Sequence, residues 1–133
     1  MALRLRVLGT RAERLGERSS RVFGVHGGRI GRGADNDWVL PDPERYLSGH
    51  HARVEYRSGS WYLIDTSSNG TFLNGAAAPI GRERVAALAD GDKVRMGEYE
   101  FLVGISADND FPPDASAIAA FDALALKQAD FAI

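Results

Sequence analysis

The amino-acid sequence predicts an all-β fold of the sandwich type. Strand-like segments recur at roughly ten-residue spacing and are separated by turn-forming residues, a pattern typical of β-sandwiches. Apolar residues alternate with polar ones instead of recurring at helical spacing, and no long helical pattern precedes residue 105. At 133 residues the chain has the size of one domain with a short extension.

The first half of the chain contains four strand-like segments. The apolar residues of "LRLRV" (3–7) alternate with arginines, and a similar alternation follows over residues 22–26. The segments "ARVEYR" (52–57) and "SWYLID" (60–65) are rich in β-branched and aromatic residues. A short connection containing serine and glycine joins these two segments, which predicts a hairpin.

Turn signals also delimit the strands of the second half. Two Asn-Gly pairs, at 69–70 and 74–75, flank the short apolar piece over residues 71–73. The segment "LADGDKVRMGEYEFLVGI" (88–105) predicts two further strands, with Gly91 before the first and Gly97 at the turn between them.

The composition changes after residue 105. We therefore predict a folded domain over residues 1–105, and a short acidic linker with a C-terminal helix over 106–133. The linker contains Pro112-Pro113, and the residues after Asp114 are rich in helix formers with one apolar face. This helix can pack on the sandwich, bind a partner, or begin a further region.

Composition excludes several classes of function. The chain has no cysteine, which rules out disulfides and cysteine-based zinc sites. Arginines are numerous, yet the pI of about 5.9 argues against a nucleic-acid-binding protein. No apolar stretch has the length of a membrane span or the character of a signal peptide. We therefore expect a cytoplasmic protein that does not insert into membranes.

The glycine-rich segment "GGRIGRGADN" (27–36) invites a nucleotide-binding interpretation. Its glycine order does not fit G-x-G-x-x-G, and it lacks the Gly-Lys-Ser/Thr of a P-loop. The segment instead predicts a strand that ends in a tight turn and leaves Arg32 at the strand end.

The segment "SGHH" (48–51) admits catalysis, metal binding or the shaping of a loop. A serine nucleophile needs an oriented base and an oxyanion hole, and the sequence resembles no nucleophile elbow. Neighbouring strand residues point to opposite faces, so His50 and His51 cannot easily share one ion. A metallohydrolase using both histidines and Asp65 is the enzymatic rival. We favour a buried His51 that bridges loop backbones, in a protein with neither enzymatic activity nor cofactor or metal.

The motifs together resemble the signature of the forkhead-associated (FHA) domain. They occur in the family's order: Gly31-Arg32, Ser48 with His51, Ser68-Asn69-Gly70-Thr71, and Asn74-Gly75. The resemblance implies an FHA-type sandwich of about eleven strands whose loops at one end bind phosphothreonine peptides. The segment 31–56 further resembles the FHA proteins of bacterial type VI secretion systems.

The resemblance implies a role for each residue that would contact the peptide. Arg32 is expected to contact the phosphate directly, while Ser48 and Ser68 each donate a hydroxyl. Asn69 is expected to hold the peptide main chain. Gly49 stands where the family often has a side chain that reaches the phosphate, so it offers only its backbone N–H.

Other residues are expected to shape or tune this site. Gly31, His51 and Gly70 would shape it, and Tyr46 and His50 are candidate specificity residues. A protonated His50 near the phosphate dianion would compensate for Gly49, so binding would then weaken between pH 6 and 8 more in wild type than in His50→Ala.

These residues lead to two functional hypotheses. The first is a phosphothreonine-dependent interaction module that acts downstream of a Ser/Thr kinase in a type VI secretion system. The second is an FHA scaffold that binds partners without phosphate, through a sheet surface or the C-terminal helix. Gly49 favours the second hypothesis, whereas Arg32, Ser48 and Asn69 favour the first.

Overall fold

A computed structural model describes residues 1–107 of the chain. Most of the predicted linker, and the whole of the predicted C-terminal helix, lie outside these residues. The predicted domain boundary therefore stays a prediction. Within residues 1–107 no helix is long and apolar enough to cross a membrane.

The described residues form ten strands and two short helical segments. In chain order the strands are β1 (Ala2–Val7), β2 (Ser20–Phe23), β3 (Gly28–Gly31), β4 (Trp38–Val39), β5 (Ala52–Arg57), β6 (Ser60–Asp65), β7 (Thr71–Leu73), β8 (Val85–Leu88), β9 (Lys93–Met96) and β10 (Tyr99–Ser106). Helix α1 (Thr10–Leu15) and a 3-10 helix (Gly16–Ser19) lie between β1 and β2.

The strands form two five-stranded sheets. The first sheet has the order β2-β1-β10-β9-β7, and the second has the order β4-β3-β5-β6-β8. All pairs are antiparallel except the pair of β3 with β4. The predicted all-β sandwich is confirmed, with ten strands in the described residues where about eleven were expected.

The core lies between the two sheets and follows the predicted alternation. Leu3, Leu5 and Val7 of β1 are buried, while the intervening arginines are half-exposed. Trp38 of the second sheet meets Phe101 of the first edge-to-face, with ring centroids 5.4 Å apart. Each such buried side chain contributes roughly 1.5–3 kcal/mol of transfer free energy. This core makes a rigid base for the loops.

Two local predictions differ from the structure. The segment 22–26 is not one strand, because β2 ends at Phe23 and the next three residues form an exposed turn. Helix α1 was not predicted, since six residues are too few to establish a helical period. Its Ala12 and Leu15 nevertheless pack into the core.

The hairpin and turn predictions are confirmed. Strands β5 and β6 are joined by Ser58-Gly59, whose φ angles of 49° and 87° are both positive. Two successive left-handed residues match the right-handed twist of a two-residue hairpin. Strand β7 lies between the two Asn-Gly pairs, and β9 and β10 are connected at Gly97.

The register of the second sheet brings three loops to one end of the sandwich. Ile30 of β3 pairs with Ala52 of β5, and Ala52 pairs in turn with Asp65 of β6. The end of β3, the start of β5 and the end of β6 therefore coincide. The loops that meet there are the β3–β4 loop (32–37), the β4–β5 loop (40–51) and the β6–β7 loop (66–70).

Candidate functional site

His51 joins two of these loops from beneath and is completely buried. Its Nδ1 accepts a hydrogen bond from the backbone N–H of Ser48 at 3.1 Å. Because Nδ1 is an acceptor, Nε2 carries the proton and donates to the carbonyl of Gly70 at 2.9 Å. The imidazole is therefore neutral and braces the β4–β5 loop against the β6–β7 loop.

Ser48 and Ser68 are brought together at the top of the site. The Oγ of Ser48 accepts a hydrogen bond from the backbone N–H of Ser68 at 2.9 Å. This contact uses a lone pair of Ser48, so its hydroxyl hydrogen stays able to donate to a ligand. Ser68 is exposed and presents a second hydroxyl beside the first.

Arg32 follows β3 and is fixed by two contacts with the β4–β5 loop. Its backbone N–H donates to the carbonyl of Ser48 at 3.1 Å, and its Nε donates to the carbonyl of Leu47 at 3.1 Å. The terminal nitrogens of the guanidinium provide four further hydrogens. The contacts of Arg32 therefore orient a charged fork next to Ser48.

Asn69 and Tyr46 are both exposed, and they connect the β6–β7 loop with the β4–β5 loop. The Nδ2 of Asn69 donates to the carbonyl of Tyr46 at 2.9 Å. Asn69 retains its Oδ1 acceptor and one Nδ2 hydrogen, which are the groups that a peptide main chain pairs with. Tyr46 lies beside Asn69, where its ring is available to a bound chain.

Gly31 is required by close packing of the backbone. A Cβ atom at Gly31 would lie 2.3 Å from the carbonyl oxygen of Gly49 and 2.9 Å from the nitrogen of His51. Gly70 has a φ of 102°, and its Cβ would meet Phe72 and Pro79 at 2.9 and 3.0 Å. Gly31 thus allows β3 to approach the β4–β5 loop closely, and Gly70 allows the β6–β7 loop to pack against Phe72 and Pro79.

Gly49 is different, because a Cβ atom there would meet nothing within 4 Å. Its carbonyl accepts hydrogen bonds from Gly33 N–H and Asn36 Nδ2, which hold the loop in place. The N–H of Gly49 makes no hydrogen bond within residues 1–107. The backbone thus supplies a free donor next to Ser48, and neither space nor φ demands glycine at this position.

His50 lies on the outside of the same loop and pairs with Asp35. The Nε2 of His50 is 2.9 Å from the Oδ2 of Asp35, and this hydrogen bond lowers the pKa of the Asp35 carboxyl. His50 therefore already has an anionic partner. A phosphate that recruits His50 must compete with Asp35.

The histidine geometry does not support catalysis or metal binding. The contact between Ser48 and His51 uses the serine backbone N–H, so no imidazole nitrogen is left to accept the hydroxyl proton. His50 and His51 have different partners, and within residues 1–107 no group of three His, Cys, Asp or Glu residues could hold a metal. Among the three interpretations of "SGHH", the geometry favours the shaping of a loop.

Three arginines beside the site were not predicted. Arg29, Arg53 and Arg82 line a groove of about 460 Å³ together with Ser48, Gly49 and Ser68. Arg29 and Arg53 precede buried apolar residues of β3 and β5, so their outward orientation could have been inferred. Their proximity depends on strand register, and the position of Arg82 depends on a loop.

The buried His51 predicts a pH-dependent stability. Burial lowers the pKa of His51, against the raising effects of the Gly70 hydrogen bond and the Asp65 charge. Unfolded His51, with a pKa near 6.5, takes up a proton that the folded residue disfavours. The free energy of unfolding is therefore retained above about pH 6.5 and falls on acidification, by up to about 1.4 kcal/mol per pH unit.

Urea unfolding at pH 7.5, 6.5 and 5.5 measures this effect. We expect the pH slope to be smaller in His51→Gln and unchanged in His26→Gln, because His26 is exposed. A ring titration of His51 by NMR, with its midpoint below 6.5, provides the same test without a substitution. Equal slopes in wild type and His51→Gln would rule out His51 as the source.

Comparisons with known proteins agree with this fold and site. The sequence model of the FHA domain family matches residues 28–97. This chain therefore belongs to the FHA domain family. FHA domains are protein-interaction modules. The matched residues include β3, the three loops and β9, and thus every predicted site residue.

The curated proteins that are similar to this chain include one from a plant and one from a bacterium. An FHA domain-containing protein of Arabidopsis thaliana is 39% identical over 85 residues, which cover 63% of this chain and 20% of that protein. The ABC transporter ATP-binding/permease protein Rv1747 of Mycobacterium tuberculosis is 43% identical over 75 residues, which cover 56% of this chain and 8% of that protein. The similarity thus spans a fifth or less of each relative.

A solved structure is similar along most of the chain. It comes from a structural and functional analysis of phosphothreonine-dependent FHA domain interactions. It aligns with a TM-score of 0.64 and 27% identity, and the alignment covers 80% of this chain and 98% of the other.

Proposed function

We propose that this chain is a phosphothreonine-recognition module. The observation that carries the proposal is the set of donors at one end of the sandwich: the guanidinium of Arg32, the hydroxyls of Ser48 and Ser68, and the N–H of Gly49. A phosphate monoester has about −1.5 to −2 charges and three acceptor oxygens. One charged fork and several neutral donors on a rigid base match that ligand.

The proposal includes a preference for threonine over serine. The methyl group of threonine, if it contacts an apolar part of the site, contributes about 0.8 kcal/mol. This corresponds to roughly a four-fold difference in affinity. The solved FHA structure similar to this chain was analysed for phosphothreonine-dependent interactions, which supports the choice of ligand.

Fluorescence anisotropy with labelled peptide pools tests the proposal. Three degenerate pools differ only at a fixed central residue, which is phosphothreonine, phosphoserine or threonine. We expect micromolar affinity for the phosphothreonine pool, corresponding to about −8 kcal/mol, weaker binding of phosphoserine, and no measurable binding of threonine.

Folded protein that binds all three pools equally, or none of them, would contradict the proposal. Such a result would favour the phosphate-independent scaffold, for which the lack of a side chain at Gly49 is the specific observation. Pull-downs with and without phosphatase treatment of the partner proteins then distinguish the two functions.

We further propose a cytoplasmic role downstream of a Ser/Thr kinase, in a type VI secretion system. This finer proposal rests on the resemblance of residues 31–56 to the FHA proteins of those systems. The kinase would phosphorylate a component of the apparatus, and this domain would bind the product. Loss of co-purification after deletion of the kinase gene would support it, and unchanged co-purification would contradict it.

A further inference from the structure

The groove beside the phosphate-binding donors carries more positive charge than one phosphothreonine requires. Arg29, Arg53 and Arg82 line it, against a single carboxylate from Glu83. We call this surface the arginine groove. Ser48 and Ser68 line the same groove, so it is continuous with the proposed phosphate site.

Two of these arginines face each other across neighbouring strands. Arg29 of β3 pairs directly with Arg53 of β5 in the antiparallel register. Like charges directly opposite each other destabilise a sheet. The nearby acids offset this repulsion only in part: Glu55 contacts Arg53, and the charge of Arg29 acts on Asp35, which is itself paired with His50. An external anion bound between the two arginines would offset the remaining repulsion.

The charges of the groove are only partly neutralised. The Nε of Arg53 contacts Glu55 at 2.8 Å, but Arg57 binds the same carboxylate. The guanidinium groups of Arg29 and Arg82 make no hydrogen bond or ion pair within residues 1–107. Both side chains are exposed and therefore accessible to a ligand.

We propose that the arginine groove binds a second anionic group on the same phosphopeptide. That group is a carboxylate or a second phosphate on a residue near the phosphothreonine. Guanidinium forks bind both chemistries bidentately. The inference rests on the proposed phosphothreonine function and adds a charge preference to it, at a surface that does not include Tyr46.

The spacing of the second group follows from chain geometry. A peptide in extended conformation advances about 3.3 Å per residue. Acidic groups up to about four residues from the phosphothreonine thus lie within about 13 Å of it. A scan of single substitutions over these positions, on both sides, covers the groove.

The test uses three sets of peptides with the same phosphothreonine. One set has alanine at every flanking position, one has a single aspartate at each position in turn, and one has a single phosphoserine there. We expect aspartate at the best position to tighten binding by about three-fold and phosphoserine by about ten-fold or more. This gain should shrink in high salt, since the groove is exposed.

The substitutions Arg29→Gln and Arg82→Gln test whether the arginine groove is the source of this gain in affinity. Each is expected to remove most of the gain from the second anion while changing affinity for the alanine-flanked peptide by less than two-fold. Arg21→Gln is the matched control, because Arg21 is exposed on β2 of the other sheet and does not line the groove. It is expected to leave all three affinities unchanged.

The outcomes separate this inference from the function on which it rests. If the alanine-flanked peptide binds and no second anion improves its affinity, the inference is wrong and the phosphothreonine function stands. If both arginine variants weaken all peptides by the same factor, the groove holds no second anion. If the folded protein binds no phosphothreonine peptide, the proposed function fails, and this inference fails with it.

Discussion

Substitution of Arg32 by alanine is expected to lower the affinity for a phosphothreonine peptide by about 100-fold or more. Arg32 is oriented through its Nε contact with Leu47, which directs its terminal nitrogens as a pair. Each charge-assisted hydrogen bond to phosphate contributes about 1.5–3 kcal/mol. Loss of a bidentate contact therefore removes about 3 kcal/mol or more of the roughly 8 kcal/mol that corresponds to micromolar binding.

The same substitution is expected to leave the protein folded. It removes one side-chain hydrogen bond to backbone, which costs about 1 kcal/mol. The free energy of unfolding of a typical domain is about 5–15 kcal/mol. Arg32→Lys keeps the charge but loses the fork and the Nε contact, so we expect an intermediate affinity.

Arg57→Ala provides the control for total charge, since Arg57 lies on β5 away from the three loops. Anisotropy titrations and urea midpoints on the same preparations separate binding from folding. If Arg32→Ala binds within three-fold of wild type, Arg32 is not the phosphate ligand.

The parts of the fold that were predicted from sequence are those encoded by local pattern. The alternation in "LRLRV" identifies β1, and Ser58-Gly59 marks the hairpin between β5 and β6. Each signal needs only neighbouring residues, because a strand exposes alternate side chains and a tight turn demands left-handed φ. Helix α1 gave no such signal because it is barely more than one turn long.

The candidate site was predicted in its residues but not in its contacts. The order of Arg32, Ser48, His51 and Asn69 along the chain identified the family, and the structure brings their loops together. The partners of His51 and Asn69 are backbone groups, which have no sequence signature. The pairing of Arg29 with Arg53 depends on register between strands more than twenty residues apart, so the arginine groove emerged only from the fold.

Asp65 is a further residue whose role required the structure. Its sequence neighbourhood suggested at most a metal ligand, in the enzymatic rival. Its carboxylate is instead buried at the base of the β6–β7 loop. There Oδ1 accepts hydrogen bonds from Ser67 N–H, Ser67 Oγ and Thr71 Oγ1, and Oδ2 accepts from Thr71 N–H and Gly81 N–H. One side chain thus closes the loop that carries Ser68 and Asn69.

Asp65→Asn is expected to destabilise the protein by about 3 kcal/mol or more. The amide group of asparagine would place a donor against N–H and O–H donors that are already buried, and it would remove the charge that strengthens all five hydrogen bonds.

The pKa of Asp65 also predicts a pH dependence of stability. Although burial alone would raise the pKa of Asp65, the hydrogen bonds from Ser67 and Thr71 lower it. The stabilisation by the ionised carboxylate is therefore present above about pH 4 and lost as the pH falls further.

Urea unfolding at pH 7 measures the cost, with Asp37→Asn as the matched control. Asp37 is exposed and accepts one backbone hydrogen bond, from Arg29 at 2.8 Å, so its substitution should cost less than 1 kcal/mol. If Asp65→Asn does not fold, Ser67→Ala tests the network more gently. It removes the hydrogen bond from Ser67 Oγ to Asp65 and the one that Ser67 Oγ accepts from Gly70 N–H, and it should cost about 1–2 kcal/mol. A free energy of unfolding within 1 kcal/mol of wild type in both variants would mean that the β6–β7 loop holds its shape without Asp65. In that case the bracing of Gly70 by His51 would have to be sufficient to position Ser68 and Asn69.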